Sequence, residues 1–153
     1  MFRYSLLVLS LSVTVLSFAQ NPANPIVKFK PPVVKSYLST YTGSDVSVSV
    51  EEAKSIISLP LKVLDESKNN YTVNSYQFIY KRIGVVMDDT SGKITPESDI
   101  VAQQFTSTPL SSIWINTIKD ELHAGEELYF FDIIVKDNQG RLFFAPELKI
   151  SVK

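Results

Sequence analysis

Tyr71-Thr-Val-Asn-Ser-Tyr-Gln-Phe-Ile-Tyr-Lys81 is the stretch whose reading decides the fold. It is dense in β-branched and aromatic residues, which favour strands. Tyr71 and Val73 stand at odd positions, whereas Tyr76, Phe78 and Tyr80 stand at even ones. Successive strand side chains alternate between faces, so one apolar face across this stretch requires a one-residue insertion. The pattern predicts a β-bulge near Asn74-Ser75. Ile83, Val85 and Met87 return to odd positions, which predicts a second irregularity near Arg82. Asp88 to Gly92 reads as a turn.

Further along, Leu110, Ile113, Trp114, Ile118 and Leu122 recur at spacings of three and four, one face of a helix. Thr108 is the expected cap and Pro109 the first helical residue. The end is expected near His123, with Gly125 in the left-handed position beyond it. Trp114 is expected in the core. Leu128 to Lys136 is almost continuously apolar apart from Asp132, as in a central strand. Asp137-Asn-Gln-Gly140 reads as a hairpin loop. The closing segment then alternates. Leu142, Phe144, Leu148, Ile150 and Val152 form the expected core face, and Arg141, Phe143, Glu147, Lys149 and Ser151 the other. Phe143 thus stands out as an aromatic on a wet face, either half of a local aromatic pair or, with Arg141, a candidate interaction surface.

Toward the N-terminus, Val33 to Thr42 reads as a strand and Gly43-Ser44-Asp45 as a turn. Ser49-Val-Glu-Glu52 fits a capping box opening a short helix to about Ile57, stopped by Pro60. Leu61 to Leu64 is a short strand, and Glu66 to Asn70 a polar loop. Pro22, Pro25, Pro31 and Pro32 make residues 20–32 a poor strand and a poor helix, hence an extended tail. Residues 1–19 combine Arg3, an apolar run from Leu6 to Leu16 and Ser17-Phe18-Ala19. These are the parts of a secretory signal with cleavage between Ala19 and Gln20, an uncleaved N-terminal anchor being the alternative. The run is short against the roughly 20 residues of a membrane-spanning helix, so no span is expected in the mature form. The expected organisation is therefore signal 1–19, tail 20–32 and one domain, 33–153, in a periplasmic or secreted protein.

Composition narrows the chemistry. The 153-residue chain has a net charge of −1, which gives no electrostatic footprint for nucleic acid. It contains no Cys and one His. Thiol nucleophiles, iron–sulfur clusters and zinc sites built from Cys and His within one chain are excluded. Asp88, Asp89 and Glu97 do not match the ligand spacing of a calcium loop and read as a solvated turn. His123 reads as a structural or merely exposed residue, and the adjacent pairs Asp120-Glu121 and Glu126-Glu127 as solvated edges. No Gly-x-Ser-x-Gly elbow, P-loop or dinucleotide fingerprint occurs. No cofactor, metal or catalytic residue is expected.

From Tyr71 to Lys153 the order of features resembles the C-terminal β domains of GldM/PorM proteins, the periplasmic shaft subunits of type IX secretion and gliding machinery in Bacteroidetes. The features are Tyr71–Phe78, the helix from Pro109 to Leu122, His123-Ala-Gly-Glu-Glu-Leu-Tyr-Phe130, the hairpin Asp132–Arg141 and the closing strand Pro146–Val152. From Val48 to Leu64 the likeness is weak. Family members are long and begin with a transmembrane helix, whereas here a signal leads into one terminal-type domain. Coupling to a motor is therefore not carried over. The resemblance implies a non-enzymatic protein-interaction or scaffolding module with a protein partner in the cell envelope, self-association included. The alternative is a secreted binding domain for a small ligand or a foreign protein, inhibitor-like. The expected fold is α+β and mainly antiparallel β, a sandwich-like single domain with one principal helix packed on the sheet.

Overall fold

The computed structural model describes residues 28–153. The signal, its Ala19/Gln20 junction and most of the proline-rich tail lie outside the described residues. Pro31 to Lys153 form one compact unit.

Its elements run β1 (Val34–Leu38), β2 (Tyr41–Thr42), β3 (Val46–Val48), α1 (Val50–Ile56), β4 (Leu61–Asp65), β5 (Asn70–Met87), β6 (Ile94–Phe105), α2 (Ser112–Glu121), β7 (Glu127–Lys136), β8 (Leu142–Ala145) and β9 (Leu148–Val152). The fold is mainly β with two helices, as the composition of its segments implies. The strands are not stacked as a clear sandwich. They form one mixed sheet ordered β2-β1-β4-β5-β7-β9-β3, with β6 on β5 and β8 on β7, and it curls nearly into a barrel. All pairs are antiparallel except β3 with β9.

The curl follows from a line of irregularities crossing three strands. In β5 and β7 the pairs Val73↔Val135, Ser75↔Ile134 and Gln77↔Phe131 show the register slipping by one and then recovering. The extra residues are Asn74 in β5 and one in β7 at Asp132, whose φ of 47° is left-handed. Asp and Asn tolerate that region better than most residues. The expected bulge at Asn74-Ser75 is therefore present, and β7 carries its own. Opposite Asp132, β8 and β9 are parted at Pro146-Glu147. Across this line the buried face changes parity in every strand. Tyr76, Phe78 and Tyr80 give way to inward Tyr71 in β5; Leu128 and Phe130 to Ile133 and Val135 in β7; Leu148 and Ile150 to Phe143 and Ala145 between β9 and β8. Strands turn such corners through bulges and bends. The buried Ser36 hydroxyl of β1 donates to the Pro146 carbonyl, fastening the first strand to this corner.

Two expectations are corrected here. The closing segment is two strands, not one with a single face, because Pro146 supplies no donor and interrupts the ladder. Phe143 is consequently buried, 6% exposed, edge-on to Tyr71 with ring centroids 5.4 Å apart, while Phe144 is 69% exposed. Leu142 is outward as well. Likewise Val33 to Thr42 is not one strand. It reverses at Ser39-Thr40, with Ser39 at φ 58°, so Leu38 pairs with Tyr41.

Helix α1 forms as its capping residues dictate. The Ser49 hydroxyl accepts the Glu52 amide, and Ala53 and Ile56 point inward. Glu52 does not return the bond; its carboxylate accepts from the Tyr41 hydroxyl at 2.6 Å. Helix α2 starts later than expected, at Ser112 with Ser111 as N-cap. Thr108 is already committed, since its hydroxyl accepts the Leu61 amide at 2.6 Å. On α2 and its flanks Leu110, Ile118 and Leu122 are buried, Trp114 is half-buried and Ile113 is exposed. The apolar face is thus narrower than the spacing implied. Trp114 packs edge-on to Phe78 and Phe105 at 5.5 and 5.9 Å, and its indole N–H donates to Gln103. Phe78 in turn meets Phe130 at 4.8 Å. This aromatic cluster holds α2 on the sheet.

Candidate interaction surface on the β5–β6 arm

Residues 93–105 carry weak strand signals, with Pro96, Glu97, Ser98 and Asp99 inside them, and the periodicity gives no strand there. The structure shows β6, paired without a break from Tyr76↔Phe105 to Met87↔Ile94. Proline is tolerated on an edge strand, and among the described strands β6 pairs only with β5. Since β7 leaves β5 after Lys81↔Glu127, the last six pairs of β5 and β6 form a two-stranded arm. At about 3.3 Å per residue it extends roughly 20 Å. The expected second irregularity near Arg82 is absent from this ladder. The change of apolar parity marks the point where the strand leaves the core.

The arm is amphipathic, and beyond its root none of the described strands continues beside it. Unbroken register puts Ile79, Ile83, Val85 and Met87 of β5 on one face, with Ile100 and Ile94 of β6 opposite Lys81 and Met87. Except for half-buried Ile79 these are exposed, Val85 at 71%. The strip continues across β7 onto Tyr129 and Phe131, stacked at 5.0 Å. Its rim is charged. Glu127 lies 3.4 Å from the Lys81 ammonium and 3.0 Å from that of Lys149. This holds the Glu127 carboxyl below its ordinary pKa, through Lys149 first. The Tyr129 hydroxyl donates to Glu147, which pushes its pKa up to about 12. An apolar strip with a polar rim is the anatomy of a protein interface, and exposed apolar area of this kind marks interaction sites.

The arm is anchored at its root by Glu126. The reading of Glu126-Glu127 as a solvated edge is corrected for Glu126, which is 3% exposed. One carboxylate oxygen accepts the Tyr80 hydroxyl at 2.5 Å and the His123 amide at 2.9 Å; the other accepts the Ile83 amide at 3.2 Å. The side chain stands where β7 would have continued and satisfies the amide that β7 abandons. Burial, then the Glu126 carboxylate, holds the Tyr80 phenol far above its usual range. Arg82 reinforces the root, bridging Asp99 of β6 and Glu121 of α2, the latter at 2.9 Å. Gly125, at φ 92°, lies against Ile83; a Cβ there would stand 2.9 Å from Ile83 Cδ1. At the tip, Asp88 accepts the Thr90 and Ser91 amides at 2.8 and 2.9 Å, closing the expected turn. Those bonds hold its carboxyl below the usual range.

The sequence-predicted site residues do not gather here. Phe143 is inside the domain. Arg141 is half-exposed in the β7–β8 hairpin, its guanidinium 2.7 Å from the Asp137 carboxylate, which organises that loop. His123 is exposed beyond the end of α2. Among the described residues no group of acidic, His or Cys side chains is placed to hold a metal, and no helix is long and apolar enough to cross a membrane. Compared with known proteins, the chain matches no family model and no curated relative.

Proposed function

We propose that the protein is an exported, non-enzymatic interaction or scaffolding module that docks a protein partner of the cell envelope on the outer face of the β5–β6 arm. The observation that carries this reading is the strip of Ile83, Val85, Met87, Ile94 and Ile100 on a ribbon with no core of its own. A two-stranded ribbon is marginal in water by itself, so a partner covering this face supplies the missing burial. The ordered features from Tyr71 to Lys153 that resemble GldM/PorM terminal domains support the same class of function, in a periplasmic or secreted setting. The test is capture from envelope extracts by the wild type and by Ile100→Glu. Specific proteins retained by the first and lost by the second, with unchanged melting, support the proposal. Identical capture by both overturns it.

A cleft of about 220 Å³ lined by Tyr80, Arg82, Val101, Ile113, Trp114 and Thr117 favours a second reading, small-ligand binding. It is small beside the roughly 300–1,000 Å³ of ordinary ligand sites, whereas a cleft of about 460 Å³ along β1 and β4, lined by Lys35, Lys62, Asp65 and Glu66 among others, reaches that range.

A further inference from the structure

Beyond Lys81 one edge of β5 has no neighbour among the described strands. In an antiparallel strand, alternate residues direct their N–H and C=O to the same edge. The Ile83 amide faces Glu126. Val85 and Met87 therefore direct theirs to this open edge, and Gly84 and Val86 turn theirs to β6. By the same alternation the outer edge of β6 takes Pro96, which has no N–H to offer, with the charged Glu97 and Asp99 beside it, and such residues discourage strand addition. Gly84-Val85-Val86-Met87 carries no charge and no such protection.

Gly84 is a second sign. Its φ is not left-handed, and an added Cβ would meet only the Glu97 carbonyl oxygen, at an ordinary 3.7 Å. Among the described residues nothing calls for glycine there. Inside a strand, glycine often marks close approach by another backbone.

We propose that this edge pairs antiparallel with the same edge of a second copy of the chain, about a two-fold axis at Val86. The proposal deepens the interaction reading above and rests on it. In this register Val85 lies opposite the partner's Met87 and Met87 opposite the partner's Val85, exchanging four main-chain hydrogen bonds. Val86 faces the partner's Val86. Asp88 comes over the partner's Gly84, on the same face as Arg82 and diagonal to it, so unlike charges meet and no like charges stand directly opposed. Moving the copies two residues closer would set Asp88 opposite Arg82, in the place Glu126 occupies. The free window thus holds this register and excludes the nearer one. The joined arms carry the apolar strips of both copies on one four-stranded face.

The chain has no Cys, so single cysteines report the register directly. Opposed residues of a non-hydrogen-bonded pair lie about 4.5 Å apart at Cα, inside the roughly 4.4–6.8 Å range of a disulfide. Diagonal residues lie about 7–8 Å apart, outside it. With oxidised glutathione and protein on the order of 100 µM, suited to a small interface, Val86→Cys should form a disulfide dimer. Val85→Cys should form far less, although Val85 is the more exposed. Sedimentation should show a concentration-dependent dimer of the wild type that is lost in Val85→Pro. Failure of Val86→Cys to cross-link, or equal cross-linking by Val85→Cys, overturns the pairing. If the pairing fails while Ile100-dependent capture persists, the interaction reading stands alone. A dimer without such capture overturns the envelope-partner reading and leaves the pairing.

Discussion

Phe143 and Phe144 are neighbours in sequence with opposite surroundings, and truncating each in turn tests the corner that bends the sheet. Phe143 is 6% exposed and sits edge-on to Tyr71. Removing a buried phenyl ring costs about 3–5 kcal/mol through lost transfer energy and the cavity left behind. The edge-on aromatic pair is worth about 0.5–1.5 kcal/mol beyond its area. Phe143→Ala should therefore lower stability by about 4 kcal/mol. At a few degrees per kcal/mol for a domain of this size, the melting midpoint should fall by roughly 10–20 °C. Phe144 is turned outward opposite Ile134 on β7, and Phe144→Ala should stay within about 1 kcal/mol of wild type. Urea melts of both variants, monitored by Trp114 fluorescence and far-ultraviolet circular dichroism, give the two free energies on one scale. Equal losses, or the larger loss at Phe144, would refute the parity change at Pro146-Glu147. The closing segment would then be one continuous strand with Phe143 on its wet face.

Three further outcomes follow from the root of the arm and from the ionisable groups. Glu126→Ala strands the Tyr80 hydroxyl and the Ile83 and His123 amides, and should destabilise by about 3 kcal/mol; faster hydrogen exchange at Ile83 in native conditions would locate the effect. Gly125→Ala forces a side chain into a left-handed residue against Ile83 Cδ1 and should cost about 1–3 kcal/mol, measured by the same melts and absent if that loop adjusts freely. For pH, the Asp65, Asp88, Asp137 and Glu127 carboxyls are held below their ordinary values by Asn69, by the Thr90 and Ser91 amides, by Arg141 and by Lys149 respectively. Their stabilisation is full above the unfolded carboxyl range near pH 4 and is lost as pH falls through the lower folded values. In the opposite direction, Tyr76 is pushed up to about 12 by burial and Tyr129 to about 12 by Glu147. Unfolding should therefore become easier as pH rises past about 10, where the unfolded phenols ionise first. Melting midpoints across both ranges check the signs, and a midpoint that rises below pH 4 or above pH 10 would contradict them.

The parts legible in the sequence are those where one face meets a core. The bulge at Asn74-Ser75, the central strand beginning near Leu128, the Ser49 cap and the Asp88 turn all announce themselves, because burial enforces periodicity and turns demand particular residues. The closing segment hides its change of face, because its rhythm looks unbroken if Pro146 is ignored. Leu142 and Phe144 fall in step with Leu148 only by counting through the residue that changes the face. Glu126 was illegible for a different reason. Its partners, Tyr80 and Ile83, lie more than forty residues away, and no local spacing reveals a carboxylate buried by long-range pairing.

The arm escaped for the same physical reason that makes it the candidate interaction surface. Period-two alternation carries information only where one face is dry and the other wet. Past Arg82 the residues of β5 are exposed on both faces, so no core selects residues 94–99 of β6, and a proline and acidic residues can stand in that part of the strand. What remains on the outward face of β5, namely Ile83, Val85 and Met87, is not needed by the domain's own interior. Folding alone would tolerate polar residues at those positions equally well, since a ribbon of this length gains little from apolar side chains left in water. Under the proposed docking, burial by a partner accounts for their apolar character. The anchoring at Glu126, Arg82 and Gly125 fixes where that outward face is presented.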